Sequence, residues 1–154
     1  RIEPFFRRAD LVTLNCDAVE SFAEAFSVNP QINGLNRREI CAVMKEIGLG
    51  ENLKMAGIFN FNANAENVLN HQLLAQMIWY LLEGIDIQKT HPKERKYDTF
   101  WVLINDSEFA FKRDTFTGLW YFGSDENIQK CVPCSQYEYD LAKNGVLSER
   151  LMKI

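Results

Sequence analysis

The chain has 154 residues, of which 47% are hydrophobic and 12% aromatic, and its formal net charge is −4. This length fits one domain with a sizeable core, and the aromatic content argues against intrinsic disorder. The charge pattern contains no long basic stripe and no apolar run reaches the roughly 18 residues that span a bilayer, so we expect no nucleic acid and no membrane among its partners.

Four cysteines are distributed over the chain as Cys16, Cys41, Cys131 and Cys134. The first two lie in predicted core elements, where a free cysteine behaves as a small hydrophobic residue. Such usage fits a reducing compartment better than a secreted disulfide framework, so a cytoplasmic location is expected.

Two strand–helix pairs are predicted in the first half of the chain. Strands are expected over 10–16 and 55–61, each apolar and then polar at its end. A helix over 36–47 is predicted because an asparagine followed three residues later by a glutamate has the spacing of a capping box, and glycines end the pattern. A second helix is predicted over about 66–84, with Asn64 as its cap and Gly84 at its end. It is apolar nearly all round, so its surface should be buried or covered by a partner.

The second half is predicted to be shorter and more irregular. The charged segment from Lys89 to Tyr97 is expected to be a solvated loop. Two runs, 100–104 and 109–112, predict edge strands or a hairpin. A short helix is predicted over 135–142, because Ser135 and Glu138 have the spacing of a capping box. The strand–helix–strand–helix order of the first half favours a parallel sheet covered by helices.

Polar side chains stand at the end of each predicted parallel strand. The first strand ends in Asn15 and Asp17, and the second ends near Asn60. That end of an open α/β sheet faces the ligand crevice, and an Asp-x-Asp pair there would suit a hard divalent metal. Only Asp17 carries a charge, so the pattern indicates an incomplete metal site. Asp17 could equally end the strand as a polar cap, and Asn60 could satisfy loop backbone groups.

The order and spacing of several segments resemble the C-terminal half of the arginase-fold ureohydrolases, closest to the formimidoylglutamase-like branch. The resemblance extends over roughly 6–150 and no single motif is diagnostic. The segments that carry it are Asn-Cys-Asp (15–17), Asn-Gly-Leu (33–35), Gly-Ile-Phe-Asn-Phe-Asn (57–62), the helix with Ala75 to Tyr80 and Glu83-Gly84, and Pro133-Cys134-Ser135 followed by Tyr139.

This resemblance implies a three-layer α/β/α parallel sheet of arginase type, present as its C-terminal part. Residues 1–154 would then be a single α/β domain or part of a larger arginase-like domain. The segment 98–154 would be a C-terminal strand or hairpin extension packed on the sheet. The family's cofactor is a pair of manganese ions, and its reaction is the hydrolysis of linear amidine C–N bonds by metal-activated water.

The resemblance also assigns positions to site residues. Asn15 stands at the first metal-ligand position and Asp17 at the second, while Asn60 stands where a glutamate normally contacts the substrate guanidinium. The Gly-Gly-x-His and Asp-x-His-x-Asp segments of the family's N-terminal half do not occur in this sequence. We therefore expect a degenerate or incomplete site with unknown catalytic residues, which need not hold manganese, and an N-terminal half or a second copy as partner.

Two other functions stay open from the sequence. The chain could be a non-catalytic interaction module that has kept the scaffold. Cys131 and Cys134 form a C-x-x-C pair that could serve a small thiol or zinc module, although a structural turn is the simpler interpretation. His71, on the apolar helix, is expected to be packed or on the surface rather than a ligand.

Overall fold

The computed structural model of the chain describes residues 2–91 and 93–154. These residues form two compact units. The first comprises Phe5–Thr90, and the second comprises His91–Ile154 with the residues that lead up to Pro4. A four-residue helix, α1 (Glu3–Phe6), spans the point at which the first unit begins.

The first unit contains a parallel pair of strands and two helices. Strand β1 (Leu11–Asn15) pairs with β2 (Met55–Phe59) in a register that places Leu11 opposite Met55 and Asn15 opposite Phe59. Helix α2 (Arg37–Gly48) precedes β2, and α3 (Val68–Lys89) follows it. This order confirms the two predicted strand–helix pairs.

The helix boundaries follow from local capping. The side chain of Asn36 accepts hydrogen bonds from the backbone N–H groups of Arg38 and Glu39, and the Glu39 carboxylate accepts one from the Asn36 N–H. This capping box confirms the predicted start of α2. Helix α3 begins after Asn67 rather than Asn64 and extends past Gly84 to Lys89, so both predicted ends of this helix are wrong.

Gly84 lies inside α3, at a point where the backbone of α3 closely approaches that of α2. A Cβ atom on Gly84 would lie 2.4 Å from the carbonyl oxygen of Lys45, and one on Gly48 would lie 2.2 Å from that of Leu81. The absence of side chains at both positions lets the two backbones meet. The core of this unit consists of Cys16, Val19, Phe26, Ile40, Cys41, Met44, Ile47, Leu73 and Met77.

The second unit is built on a four-stranded antiparallel sheet in the order β3 (Tyr97–Ile104), β4 (Ser107–Asp114), β5 (Trp120–Phe122) and β6 (Val132–Cys134). The two residues of the β3–β4 turn, Asn105 and Asp106, have φ values of 48° and 63°. Two-residue hairpin turns of type I′ require positive φ at both positions. Helices α4 (Gln136–Lys143) and α5 (Glu149–Met152) follow. The sequence predicted the hairpin and α4 but not β5, β6 or α5.

The predicted single parallel sheet of arginase type is wrong. Two strands form a parallel sheet and four others form a separate antiparallel sheet. The reason lies in the connections, because parallel neighbours need a long crossover whereas β3 and β4 are joined by a two-residue turn that permits only antiparallel pairing. The packing of 98–154 on the parallel sheet stays a prediction.

Candidate functional site

The candidate site lies at the carboxyl ends of β1 and β2. After Asn15 the chain enters a 3₁₀ turn over Cys16–Ala18, in which the Asn15 side-chain oxygen accepts the Asp17 N–H at 3.0 Å. Asn60 follows β2 with a φ of 60°, a left-handed conformation that asparagine tolerates better than most residues. The backbone carbonyl oxygen of Asn60 accepts a hydrogen bond from the Val28 N–H at 3.0 Å, which helps to hold this conformation.

The three residues singled out from the sequence lie together in one hydrogen-bonded network. Nδ2 of Asn60 donates to Oδ1 of Asn15 at 3.2 Å, and Nδ2 of Asn15 donates to Oδ2 of Asp17 at 3.1 Å. Asn29 adds a second amide to the same Asp17 oxygen at 3.4 Å. Sequence reasoning missed Asn29 because it lies in a polar, irregular segment; its position before Pro30 was the only signal.

The surroundings of Asp17 favour its ionised form. The Ser27 hydroxyl has the largest influence and lowers the pKa of the Asp17 carboxyl, partial burial raises it, and the three asparagine amides lower it further. The net result is a pKa below the ordinary value. Ser27 is 1% exposed. Neither the Oγ atom of Ser27 nor the Oδ1 atom of Asp17 makes a hydrogen bond of ordinary geometry with any described residue. The carboxylate is thus surrounded by neutral polar groups.

These residues do not fit a pair of manganese ions. Two divalent ions a few ångströms apart repel strongly, and bridging carboxylates normally offset that repulsion. Asp17 is the one carboxylate in the network of Asn15, Asn29 and Asn60, and its Oδ2 already accepts two amide N–H groups. Within residues 2–91 and 93–154, no group of three or more His, Cys, Asp or Glu side chains is placed to hold a metal ion.

The C-x-x-C pair lies in the second unit, with Cys134 at the end of β6. Cys131 is 1% exposed and Cys134 is 0% exposed, and both are free thiols. The Cys131 thiol donates to the carbonyl oxygens of Gly123 at 3.5 Å and Asp125 at 3.4 Å. Because a reactive thiol needs access to its substrate, this burial favours a structural role.

His71 lies at the surface of α3, one of the two placements that the sequence left open. Its Nε2 lies 2.9 Å from the carbonyl oxygen of Ala65, and its ring meets that of Phe61 edge to face at a centroid distance of 5.4 Å. In the second unit, Trp120 stacks on Tyr139 at 4.5 Å and contributes to the core. The described contacts of His71 are thus with Ala65 and Phe61 rather than with the polar network.

No protein-family model, curated protein or solved structure matches this chain significantly. The resemblance to ureohydrolases thus rests on the residues of the chain itself. Of the helices in the described ranges, none combines the length and apolar character needed to cross a bilayer.

Proposed function

We propose that this chain is a catalytically degenerate relative of the arginase and formimidoylglutamase-like ureohydrolases. The observation that carries the proposal is the contact between Asn15 and Asn60, whose side chains meet at 3.2 Å beyond two neighbouring parallel strands. The resemblance assigns one of these positions to a metal ligand and the other to a substrate contact. Their side-by-side placement supports a common origin of the site.

The chemistry of the two asparagines supports the loss of catalysis. An Asn15 carbonyl oxygen can coordinate a cation but brings no negative charge to offset repulsion between two metal ions. An Asn60 amide cannot form the charge-assisted pair that a carboxylate makes with a guanidinium. One oxygen of the remaining carboxylate, Oδ2 of Asp17, already accepts two amide N–H groups of the chain itself.

The experiment is a hydrolase assay with manganese on the unmodified chain and on Asn15→Asp, Asn60→Glu and the double variant. Release of urea, ammonia or formamide from arginine, agmatine and formiminoglutamate would be measured, with Asp17→Asn as the matched control. We expect no manganese-dependent turnover by any of them. Turnover by the unmodified chain that Asp17→Asn abolishes would overturn the proposal.

A second candidate function, a non-catalytic interaction module, is favoured by the exposed face of α3. Ile78, Trp79 and Leu82 are 42%, 70% and 55% exposed, and their spacing places them on one side of the helix. Grouped apolar side chains of this kind mark interaction surfaces. The proposed partner is a second copy of this chain, which offers the same apolar face in return.

Light scattering over a range of protein concentrations tests this second function. We expect self-association that Trp79→Ser weakens, whereas Trp101→Ser, which removes a tryptophan of similar exposure from β3, should leave it unchanged. A monodisperse monomer at all concentrations would exclude the second copy as partner.

A further inference from the structure

The chain contains two Asn-Gly steps with different surroundings, Asn33-Gly34 and Asn144-Gly145. In such a step the backbone nitrogen of the glycine can attack the side-chain amide carbon of the asparagine. A new N–C bond closes a five-membered succinimide and ammonia leaves. Water then opens the ring to aspartate or isoaspartate. Glycine favours this reaction because it leaves the backbone free to rotate toward the side chain.

The step at Asn144 is restrained by hydrogen bonds at the end of α4. The attacking group, the Gly145 N–H, donates to the carbonyl oxygen of Ala142 at 2.9 Å. The amide under attack is also held, because Nδ2 of Asn144 donates to the carbonyl oxygen of Asp140 at 3.0 Å. Both contacts must break before the nitrogen can reach the amide carbon.

At Asn33 the two reacting groups are not held by hydrogen bonds in the described part of the chain, although Gly34 packs closely on residues 18–20, where an added Cβ atom would lie 2.7 Å from the Ala18 carbonyl oxygen. Asn33 and Gly34 are both exposed, and the preceding Ile32 is 90% exposed. Within the described part of the chain, neither the Gly34 N–H nor the Asn33 side chain makes a hydrogen bond. Water, the co-reactant that opens the succinimide, has free access to this position.

We propose that Asn33 is a site of spontaneous deamidation in the folded protein. The side-chain amide nitrogen leaves as ammonia, the Gly34 nitrogen takes its place on the carbon, and hydrolysis restores the open chain with aspartate or isoaspartate at this position. No oxidant, enzyme or cofactor is needed. The product carries one additional negative charge, and the isoaspartate form adds one methylene group to the backbone.

The backbone around Asn33 makes this modification consequential for the candidate site. The segment is joined on both sides to residues 18–21, through the hydrogen bonds of Ser21 N–H to the Gln31 carbonyl at 3.0 Å and Leu35 N–H to the Ala18 carbonyl at 2.8 Å. An inserted methylene between these two bonds changes their spacing. Residues 18–21 begin directly after Asp17, so the polar network lies next to the disturbed backbone.

Peptide mapping by mass spectrometry tests the proposal. The native protein is aged in mildly alkaline buffer at body temperature, and the conversion of each asparagine is followed, with isoaspartate located by electron-transfer fragmentation. We expect Asn33 to convert roughly tenfold faster than Asn144, because Asn144 must first lose two hydrogen bonds. Asn33→Gln is the control that should abolish the early product.

A second arm in denaturing urea separates the effect of folding from that of sequence. In the unfolded chain both Asn-Gly steps lose their surroundings, so their rates should approach each other. Native Asn144 that converts as fast as native Asn33 would overturn the proposal. Native Asn33 that stays intact while it converts in urea would overturn it as well.

Discussion

At the scale of single residues, a few buried ionised groups tie the loops and helices of the second unit together. Glu138, which is 8% exposed, accepts hydrogen bonds from Ser135 at the start of α4 and from Ser148 and Arg150 near α5. Arg150 also donates to the carbonyl oxygen of Pro133 at 2.8 Å. The Glu138–Arg150 pair thereby joins α4, α5 and β6.

Replacing Arg150 by methionine should reduce the free energy of unfolding by about 3 kcal/mol, because it leaves the buried Glu138 charge without its partner. Urea denaturation measures this loss. The matched control is the double variant Arg150→Met with Glu138→Gln, which removes the unpaired charge and should cost clearly less than the sum of the single changes. Strict additivity would show that the two side chains do not interact.

Asp114 has a similar role at the turn after β4. Its Oδ1 accepts the N–H groups of Phe116 at 2.8 Å and Thr117 at 3.2 Å, and its Oδ2 lies 2.6 Å from Nε2 of His91. We expect Asp114→Ala to cost about 3 kcal/mol because several buried polar groups lose a partner. Asp98→Ala, which breaks a half-exposed pair with Arg113, should cost less than about 1 kcal/mol. Equal losses in urea denaturation would contradict this ranking.

The same two carboxyls contribute to the pH dependence of stability. Burial raises the pKa of Glu138, but the hydrogen bond from Arg150 and those from Ser135 and Ser148 outweigh it, so the net pKa is lowered. The pKa of Asp114 is also lowered, because the hydrogen bonds from His91 and the turn N–H groups outweigh burial. A lowered folded-state pKa gives stability that is present above the ordinary carboxyl pKa of about 4 and is lost as the pH falls through the folded value.

Acid titration of the unfolding free energy should therefore show a steep loss below about pH 4 in the unmodified chain. The loss should be shallower in the double variant Glu138→Gln, Arg150→Met, which lacks one of the two groups. An unchanged slope would mean that Glu138 has no lowered pKa in the folded state.

Residue-scale features were predictable where their partners are close in sequence. The capping boxes of Asn36 with Glu39 and Ser135 with Glu138 follow from a three-residue spacing and both are confirmed. The contact of Asn29 with Asp17 bridges twelve positions and depends on how an irregular segment folds back. No local pattern encodes such a contact.

At the scale of elements, the packing of α2 on α3 depends on the two glycines at their crossing. Sequence reasoning interpreted Gly48 and Gly84 as helix ends because glycine commonly follows the last helical turn. Gly84 instead lies inside α3, where its missing side chain admits the backbone of α2. The local preference of glycine predicts a helix end at this position, whereas the packing of α2 on α3 requires a glycine inside the helix, and the structure follows the packing.

Gly84→Ala should therefore destabilise the protein, although alanine alone favours a helix over glycine by about 1 kcal/mol. The new Cβ would lie 2.4 Å from the Lys45 carbonyl oxygen and must force the helices apart, at a net cost of about 2 kcal/mol. Gln76→Ala, on the exposed part of α3, should change stability by less than about 0.5 kcal/mol. A thermal melt in which Gly84→Ala is the more stable variant would exclude the close crossing.

At the scale of the whole molecule, the sequence indicated the order of elements better than their assembly. The parallel β1–β2 pair and its helices were predicted, because apolar strands alternate with helical periodicity there. The separate antiparallel sheet was not, because the resemblance to a larger parallel fold was extended over a region whose short turns favour hairpins. The three predicted site residues nevertheless meet, since the ends of adjacent parallel strands share one edge.

Manganese binding by the unmodified chain tests the proposed degenerate site most directly. The protein is incubated with manganese, dialysed and analysed for metal per chain, with Asp17→Asn as the control for adventitious binding. We expect far less than one tightly bound ion per chain and no difference from the control, because a single carboxylate already bonded to two amides cannot hold two divalent ions. Two tightly bound manganese ions per chain that are lost in Asp17→Asn would contradict this view of the site.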